Sequence, residues 1–266
     1  MAGFEDCNWY DYPRYYDVVF GPDTAWEADF LERVWGRFGA ARAGRGRKRV
    51  LEPACGTGRL VIEMGRRGYE GVGFDCNEAM VRYAGRRVGR FKGLPVTVVE
   101  GRMEGFRVSG RFDMAFCLLS TFKYLLSEAD ALACLRGMER VLKPGGLFVM
   151  GLHLTDYGRA RPEHERWVGE DRKVRVVCNT RTWPADRKKR LERIRTRLAV
   201  ECGGTVERRL ESEWMARTYD LGQLKRLIGK VRGLEMVGGY DFGEEIPEEG
   251  ELEEGMGYVV VVLRTP

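Results

Sequence analysis

Residues 50–60 read VLEPACGTGRL. A short apolar run leads into Gly56 and Gly58, and a stretch with helical spacing follows. Glycine forfeits side-chain packing and costs backbone entropy. A glycine pair between a strand and a helix therefore marks a backbone that bends sharply or lets something approach closely. A phosphate, a dinucleotide or a sulfonium compound could each occupy such a turn. The dinucleotide fingerprint G-x-G-x-x-G fails, because Val61 stands where the third glycine belongs. The phosphate loop G-x-x-x-x-G-K-[ST] is absent as well.

Outward from this turn the chain is rhythmic. Apolar, strand-like runs occupy 50–54, 70–75, 95–99, 112–118 and 147–153, with helix-like stretches at 58–67, 77–91 and 127–141 between them. KPGG at 143–146 reads as a helix stop and turn. Strands that alternate with short helices predict an α/β fold, a doubly wound and mostly parallel sheet. Such a sheet binds ligands beyond the carboxyl ends of its strands, where the strand order switches. The glycine turn ends the first of these strands. Upstream, DTAWEADFLERVWGRF at 23–38 spaces Trp26, Phe30, Val34 and Phe38 four apart, an amphipathic helix with Asp23 or Thr24 as its cap. The basic, glycine-rich stretch at 40–49 reads as a solvated connector.

Residues 155–217 break the rhythm. KVRVVCNTRTW, KKRLERIRTRLAVEC and TVERRLESEWMA read as long antiparallel strands. In the middle one Ile194, Thr196, Leu198 and Val200 alternate with Arg193, Arg195 and Arg197, the pattern of a sheet buried on one side. The doubly wound pattern resumes with a helix at 220–230 and strands near 234–242 and 257–264, separated by the glutamate-rich loop EEIPEEGELEEG. The net charge of +5 is mild for 266 residues and does not demand a nucleic-acid partner. The seven cysteines are odd in number and widely spaced, which fits reduced thiols and suggests neither a disulfide framework nor a metal site. The N-terminus is acidic and aromatic, unlike a signal peptide, and no apolar run approaches membrane-spanning length. These features predict a cytoplasmic protein.

The stretch E-P-A-C-G-T-G resembles the first motif of the class I S-adenosylmethionine-dependent methyltransferases, in which small residues let the backbone approach the cofactor's methionine part. The order of further matches strengthens the resemblance. Asp75 in GFDCNEAM falls where the family's acidic residue accepts from both ribose hydroxyls. RFDMAFCLLSTFKYLL resembles the fourth strand, beside the transferable methyl. YYDVVFGPDTAWEADFL resembles the aromatic lid of small-molecule members, and ARTYDLGQLKRLI resembles the return to the core after a strand insertion. The resemblance implies a seven-stranded Rossmann-like fold with S-adenosylmethionine as cofactor. It implies a cofactor-binding unit over 1–153 and 216–266, with the lid and helix in 1–40. The insertion over 154–215 would cover the substrate or form an oligomer interface, as in a homodimer. The cofactor contacts it implies are Tyr16, Trp26, Glu52, Ala54, Cys55, Gly56, Gly58, Asp75, Cys76, Met80, Arg102, Met103, Cys117 and Leu118. Tyr15 is a further lid candidate. One position departs from the pattern. Arg102 stands where relatives carry an aspartate that accepts from the adenine amino group, and arginine has no acceptor; Glu100 or Glu104 could supply one.

Methyl transfer from a sulfonium needs an acceptor lone pair aligned with the methyl and water kept out. A general base helps only an acceptor that arrives protonated. His153 ends the apolar run at 147–153 and is the candidate base, with an imidazole expected to titrate near neutrality. His164 falls in a charged, loop-like stretch. Tyr124, Tyr157 and Trp183 are candidates to line an acceptor pocket. DNA-methylating enzymes that share the acidic-Pro-Ala-Cys-Gly turn carry an Asn/Asp-Pro-Pro-aromatic motif where this chain reads LLSTFKY. A small-molecule methyl acceptor is therefore expected. An RNA or protein methyltransferase that uses the basic insertion, and a cofactor-binding protein without catalysis, are the alternatives.

Overall fold

A computed structural model of the chain describes residues 3–40, 46–242 and 248–266. In chain order the elements are β1 (Glu5–Asp6), α1 (Pro13–Phe20), α2 (Thr24–Phe38), β2 (Arg49–Pro53), α3 (Arg59–Arg66), β3 (Glu70–Asp75), α4 (Glu78–Val88), β4 (Val96–Glu100), β5 (Phe112–Cys117), α5 (Glu128–Val141), β6 (Leu142–His153), β7 (Glu163–Asp171), β8 (Val174–Thr182), β9 (Leu191–Cys202), β10 (Thr205–Arg217), α6 (Leu221–Ile228), β11 (Glu235–Asp241), β12 (Glu248–Glu249) and β13 (Tyr258–Arg264).

The larger sheet has the order β12-β11-β13-β6-β5-β2-β3-β4. Its β2 to β6 run parallel, and β13 pairs antiparallel with both β6 and β11. The order reverses between β2 and β5, so the turn after β2 opens at the switch point, as the glycines predict. Every residue of β5 is buried, because apolar layers cover both faces. Phe30, Leu31 and Val34 of α2 pack with Leu60 and Met64 of α3 on one side. Leu135 and Met138 of α5 pack with Leu224 and Leu227 of α6 on the other. The KPGG run follows the stop of α5 at Val141, as predicted, but in place of a separate turn it lies inside β6. There the pairing with β5 jumps from Phe112↔Leu142 to Met114↔Leu147, so the run bulges out of the ladder. Lys143 holds the Asp113 carboxylate at 2.8 Å, and the Gly145 and Gly146 N–H groups donate to Thr265.

The second sheet has the order β1-β10-β9-β8-β7. Thr196, Leu198 and Val200 of β9 are buried on its inner face, as the alternation predicts. Two members escape the sequence pattern. β7 reads EHERWVGED, whose charges mask any alternation; it carries His164, exposed, on a strand rather than a loop. β1 comes from the N-terminus and pairs parallel with β10. The glutamate-rich segment is also not simply a loop: Glu248–Glu249 pair with β11, and Glu254 accepts from the Gly222 N–H at the start of α6. Glu244 and Glu245 lie outside the described residues.

Candidate active site

The turn after β2 places Ala54, Gly56 and Gly58 in the left-handed region, at φ of 51°, 53° and 69°. The two glycines are small for different reasons. A Cβ on Gly58 would sit 3.0 Å from the Ala84 Cβ, so this glycine lets α3 pack on α4. A Cβ on Gly56 would meet only the Tyr16 ring, at 4.0 Å, so the space before Gly56 is open except for the lid. Tyr16 comes from α1, which is fastened to the turn through Asp17. Its carboxylate accepts from Thr57 Oγ1 at 3.0 Å and from Tyr83 at 3.3 Å, and it pairs with Arg87.

Asp75 joins this turn to the next one. One oxygen accepts from the Gly56 N–H and the other from the Asn77 N–H, both at 2.8 Å. A carboxylate has about four acceptor positions, so roughly one per oxygen stays available for a ligand's hydroxyls. Burial raises its pKa, and these backbone donors oppose the shift. Glu52 is engaged differently: it accepts from the Val61 N–H at 2.8 Å and so caps α3 from the neighbouring strand. Burial pushes its carboxyl up to about 8, against the pull of Arg59 and the Val61 N–H. Arg59 itself is buried and paired with Glu27 of α2 at 2.6 Å.

Other predicted contacts have side chains turned elsewhere. Cys55 packs into the cluster with Val61, Ile62 and Val96, and Cys117 into the main core. Met80 is buried, leaving its N–H to the Asn77 cap. Trp26 stacks on Phe30 and meets Phe242 edge-on, 39% exposed, and among the described residues no hydrogen bond or ring contact joins it to the turn. Tyr15 stacks on Tyr12. Cys76 is exposed beside Asp75, and Met103 lies in the core against Phe74 and Phe106. Arg102 turns outward onto Glu104 at 2.5 Å, which engages one of the carboxylates proposed to replace the missing acceptor. Leu118, partly buried, packs against the core cluster beneath α2.

At the ends of β5 and β6 the backbone turns through Leu119 and Ser120, both at positive φ (55° and 58°). This unusual pair aims Ser120 at His153. Ser120 Oγ accepts from the His153 N–H at 2.9 Å and lies 3.0 Å from Nδ1. Lys123 donates to the His153 carbonyl at 3.3 Å and pairs with Glu192 of β9 at 2.7 Å; both charges are buried. The imidazole keeps an edge open to solvent. Burial, with Lys123 and Arg159 nearby, nonetheless lowers its pKa to about 4. That corrects the expectation of titration near neutrality: at pH 7 this histidine is neutral, a hydrogen-bonding group more than a strong base. Tyr124 bonds Tyr10 at 2.5 Å and faces Trp214, which places it in the aromatic cover. Tyr157 instead ties the insertion to Thr218 and Gln223, at 2.7 and 3.1 Å. Trp183 is stacked by Arg193 at 3.8 Å, with Arg181 and Arg195 close by. Ser120, Lys123, Glu192, Asp17 and Arg87 went unread in the sequence; only the LLSTFKY stretch pointed toward the first two.

Comparison with known proteins points to the same fold. Residues 50–146 match the methyltransferase domain family. YqeM, a provisionally named methyltransferase of Bacillus subtilis (strain 168), is 31% identical over 108 residues, 40% of this chain and 42% of that protein. The dTDP-4-amino-2,3,4,6-tetradeoxy-D-glucose N,N-dimethyltransferase of Saccharopolyspora spinosa is 34% identical over 143 residues, 50% of this chain and 55% of that protein. The chain thus spans about half the length of these curated relatives. Among solved structures, S-adenosylmethionine-bound CalS10, an amino pentose methyltransferase from Micromonospora echinaspora, superposes with a TM-score of 0.68. It covers 99% of this chain and 100% of that one at 20% identity, a likeness of fold. Residues 50–146 thus match a methyltransferase domain, and the whole chain shares the fold of an S-adenosylmethionine-bound methyltransferase.

Proposed function

We propose that this protein transfers the methyl group of S-adenosylmethionine to a small-molecule acceptor, at nitrogen or oxygen, with nitrogen favoured. One observation carries the cofactor site: Asp75 bonds both backbone turns and keeps acceptor capacity, beside open space in front of Gly56 and beneath Tyr16. Asp75 would hold the ribose hydroxyls, the Ala54–Gly58 backbone the methionine part, and the backbone N–H of Met103 the adenine. When bound, the cofactor supplies an activated methyl. The chain's part is to align an acceptor and exclude water, worth up to ~7–11 kcal/mol in ideal cases. Neutral His153, oriented by Ser120, would hold the acceptor's polar hydrogen or lone pair in line.

Nitrogen is favoured because the sugar-modifying relative and the amino pentose enzyme are named for amine acceptors. In this reading residues 1–153 and 216–266 bind the cofactor, and 154–215 cover the substrate. The basic insertion offers RNA little: Arg175 pairs with Glu170 and Glu201, Arg193 with Glu213, and Arg195 and Arg197 with Glu211. Among the described residues no helix is long and apolar enough to cross a membrane. The test measures binding of S-adenosylmethionine by calorimetry, then methyl transfer to paired amine and hydroxyl acceptors, including dTDP-linked aminodeoxysugars. Binding without turnover on any small molecule would sink the enzymatic reading, and salt-sensitive methylation of RNA would replace the acceptor class.

A further inference from the structure

The inner face of the insertion carries a row of polar residues in register: Glu165 of β7 opposes Thr180 of β8, which opposes Thr196 of β9, which opposes Ser212 of β10. Most of the row is satisfied within the fold. Thr180 and Thr196 bond each other at 2.8 Å, and Ser212 takes the Trp9 N–H at 2.9 Å and donates to the Cys7 carbonyl at 2.7 Å. Glu165, at the free end, is in no hydrogen bond or ion pair among the described residues. It is nonetheless half-buried, with Lys123, Arg159 and Glu192 as its charged neighbours.

Those neighbours are already paired. Lys123 holds Glu192, and Arg159 holds Glu163. Glu165 therefore brings the cluster's uncompensated charge, and a half-buried carboxylate without a partner is unfavourable unless something cationic meets it. Alternation along β9 puts Glu192 on the same face as Thr196, and its partner Lys123 donates to the His153 carbonyl, so Glu165 lies on the face of the insertion that meets the end of β6 at His153.

We propose that Glu165 is the subsite for the acceptor's amino group, receiving a small molecule whose cationic amine docks on its carboxylate between the insertion and the ends of β5 and β6. The proposal rests on the reading of the protein as a small-molecule methyltransferase and names the acceptor class. It accounts for a charge that the fold leaves unanswered on an otherwise satisfied row. The raised pKa of Glu165, caused first by burial, has the same origin. A charged hydrogen bond of this kind corresponds to about 10–100-fold in affinity.

The test begins with the S-adenosylhomocysteine complex and methylammonium, the smallest amine probe, followed through the carboxyl carbon resonance of Glu165. A saturable shift, absent in Glu165→Gln and retained in the exposed control Glu207→Gln of β10, is expected. A response no larger than that of surface glutamates would overturn the proposal. Turnover comes second, on dTDP-linked aminodeoxysugars and their hydroxyl counterparts. Glu165→Gln should raise the amine's KM about 10–100-fold, with kcat and cofactor affinity nearly unchanged. An unchanged KM would overturn the Glu165 assignment and leave the methyltransferase reading standing. Wild-type turnover of hydroxyl acceptors alone would overturn the amine class. Saturable methylammonium binding without any turnover would uphold the subsite and remove the enzymatic reading instead.

Discussion

Asp75 holds the glycine turn and the start of α4 together, so it has a structural task besides the proposed ribose contact. Removing its carboxylate breaks charge-assisted bonds to Gly56 and Asn77, and Asp75→Ala should cost about 2–4 kcal/mol of stability besides cofactor affinity. Asp75→Asn keeps an acceptor oxygen and should separate the effects: a modest melting shift, but S-adenosylmethionine binding at least tenfold weaker by calorimetry. Unchanged affinity in a folded Asn variant would remove the ribose role. The titrating groups make a second residue-scale prediction, with opposite signs. His153 has a folded pKa of about 4 against 6.5, so its stability contribution is present above 6.5 and is lost as pH falls through 4. Glu52 is raised to about 8 from 4.5, so its contribution is present below 4.5 and is lost as pH rises through 8. Measured against wild type without cofactor, His153→Gln should gain relative stability toward acid and Glu52→Gln toward alkali. Parallel melting curves across pH 4–9 would refute both assignments.

At the scale of elements, the two glycines of one motif divide their tasks. Gly58→Ala presses a Cβ onto Ala84 and forces φ of +69° on a residue that resists it, so it should destabilise by about 1–2 kcal/mol or more. Gly56→Ala carries similar backbone strain but meets only Tyr16, so its larger effect should be on cofactor binding. Thermal melts beside calorimetry distinguish them; equal losses in both quantities would end the distinction. This division also shows what was legible in the sequence. The parallel core could be read because its strands, buried on both faces, are near-continuous apolar runs such as FDMAFC and YVVVVLR. The glycine motif and Asp75 could be read because they are local and evenly spaced. β7 could not, since its exposed charges hide the alternation. Nor could the Lys123–Glu192 pair, whose partners lie 69 residues apart and meet only when the insertion folds over the core.

Over the whole molecule the N-terminal segment is the seam. On one side it belongs to the insertion: β1 pairs with β10, Glu5 binds Arg208 at 2.8 Å, and Trp9 bonds Ser212. On the other it belongs to the face of the glycine turn: Asp11 accepts from Asn77 at 2.7 Å, Asp17 holds Thr57 and Arg87, and Tyr10 meets Tyr124. A ligand that orders the glycine turn must therefore steady a sheet it never touches, because ordering α1 fixes the strand that α1 follows. Hydrogen exchange should show the consequence. S-adenosylhomocysteine is expected to slow exchange in residues 205–217 of β10 as well as around Gly56 and Asp75. In a chain beginning at Tyr12 the protection at the turn should persist in weaker form and the effect on β10 should vanish. Protection confined to the turn in the full chain would show that the insertion closes independently of the cofactor, and that the N-terminal segment joins the two units without coupling them.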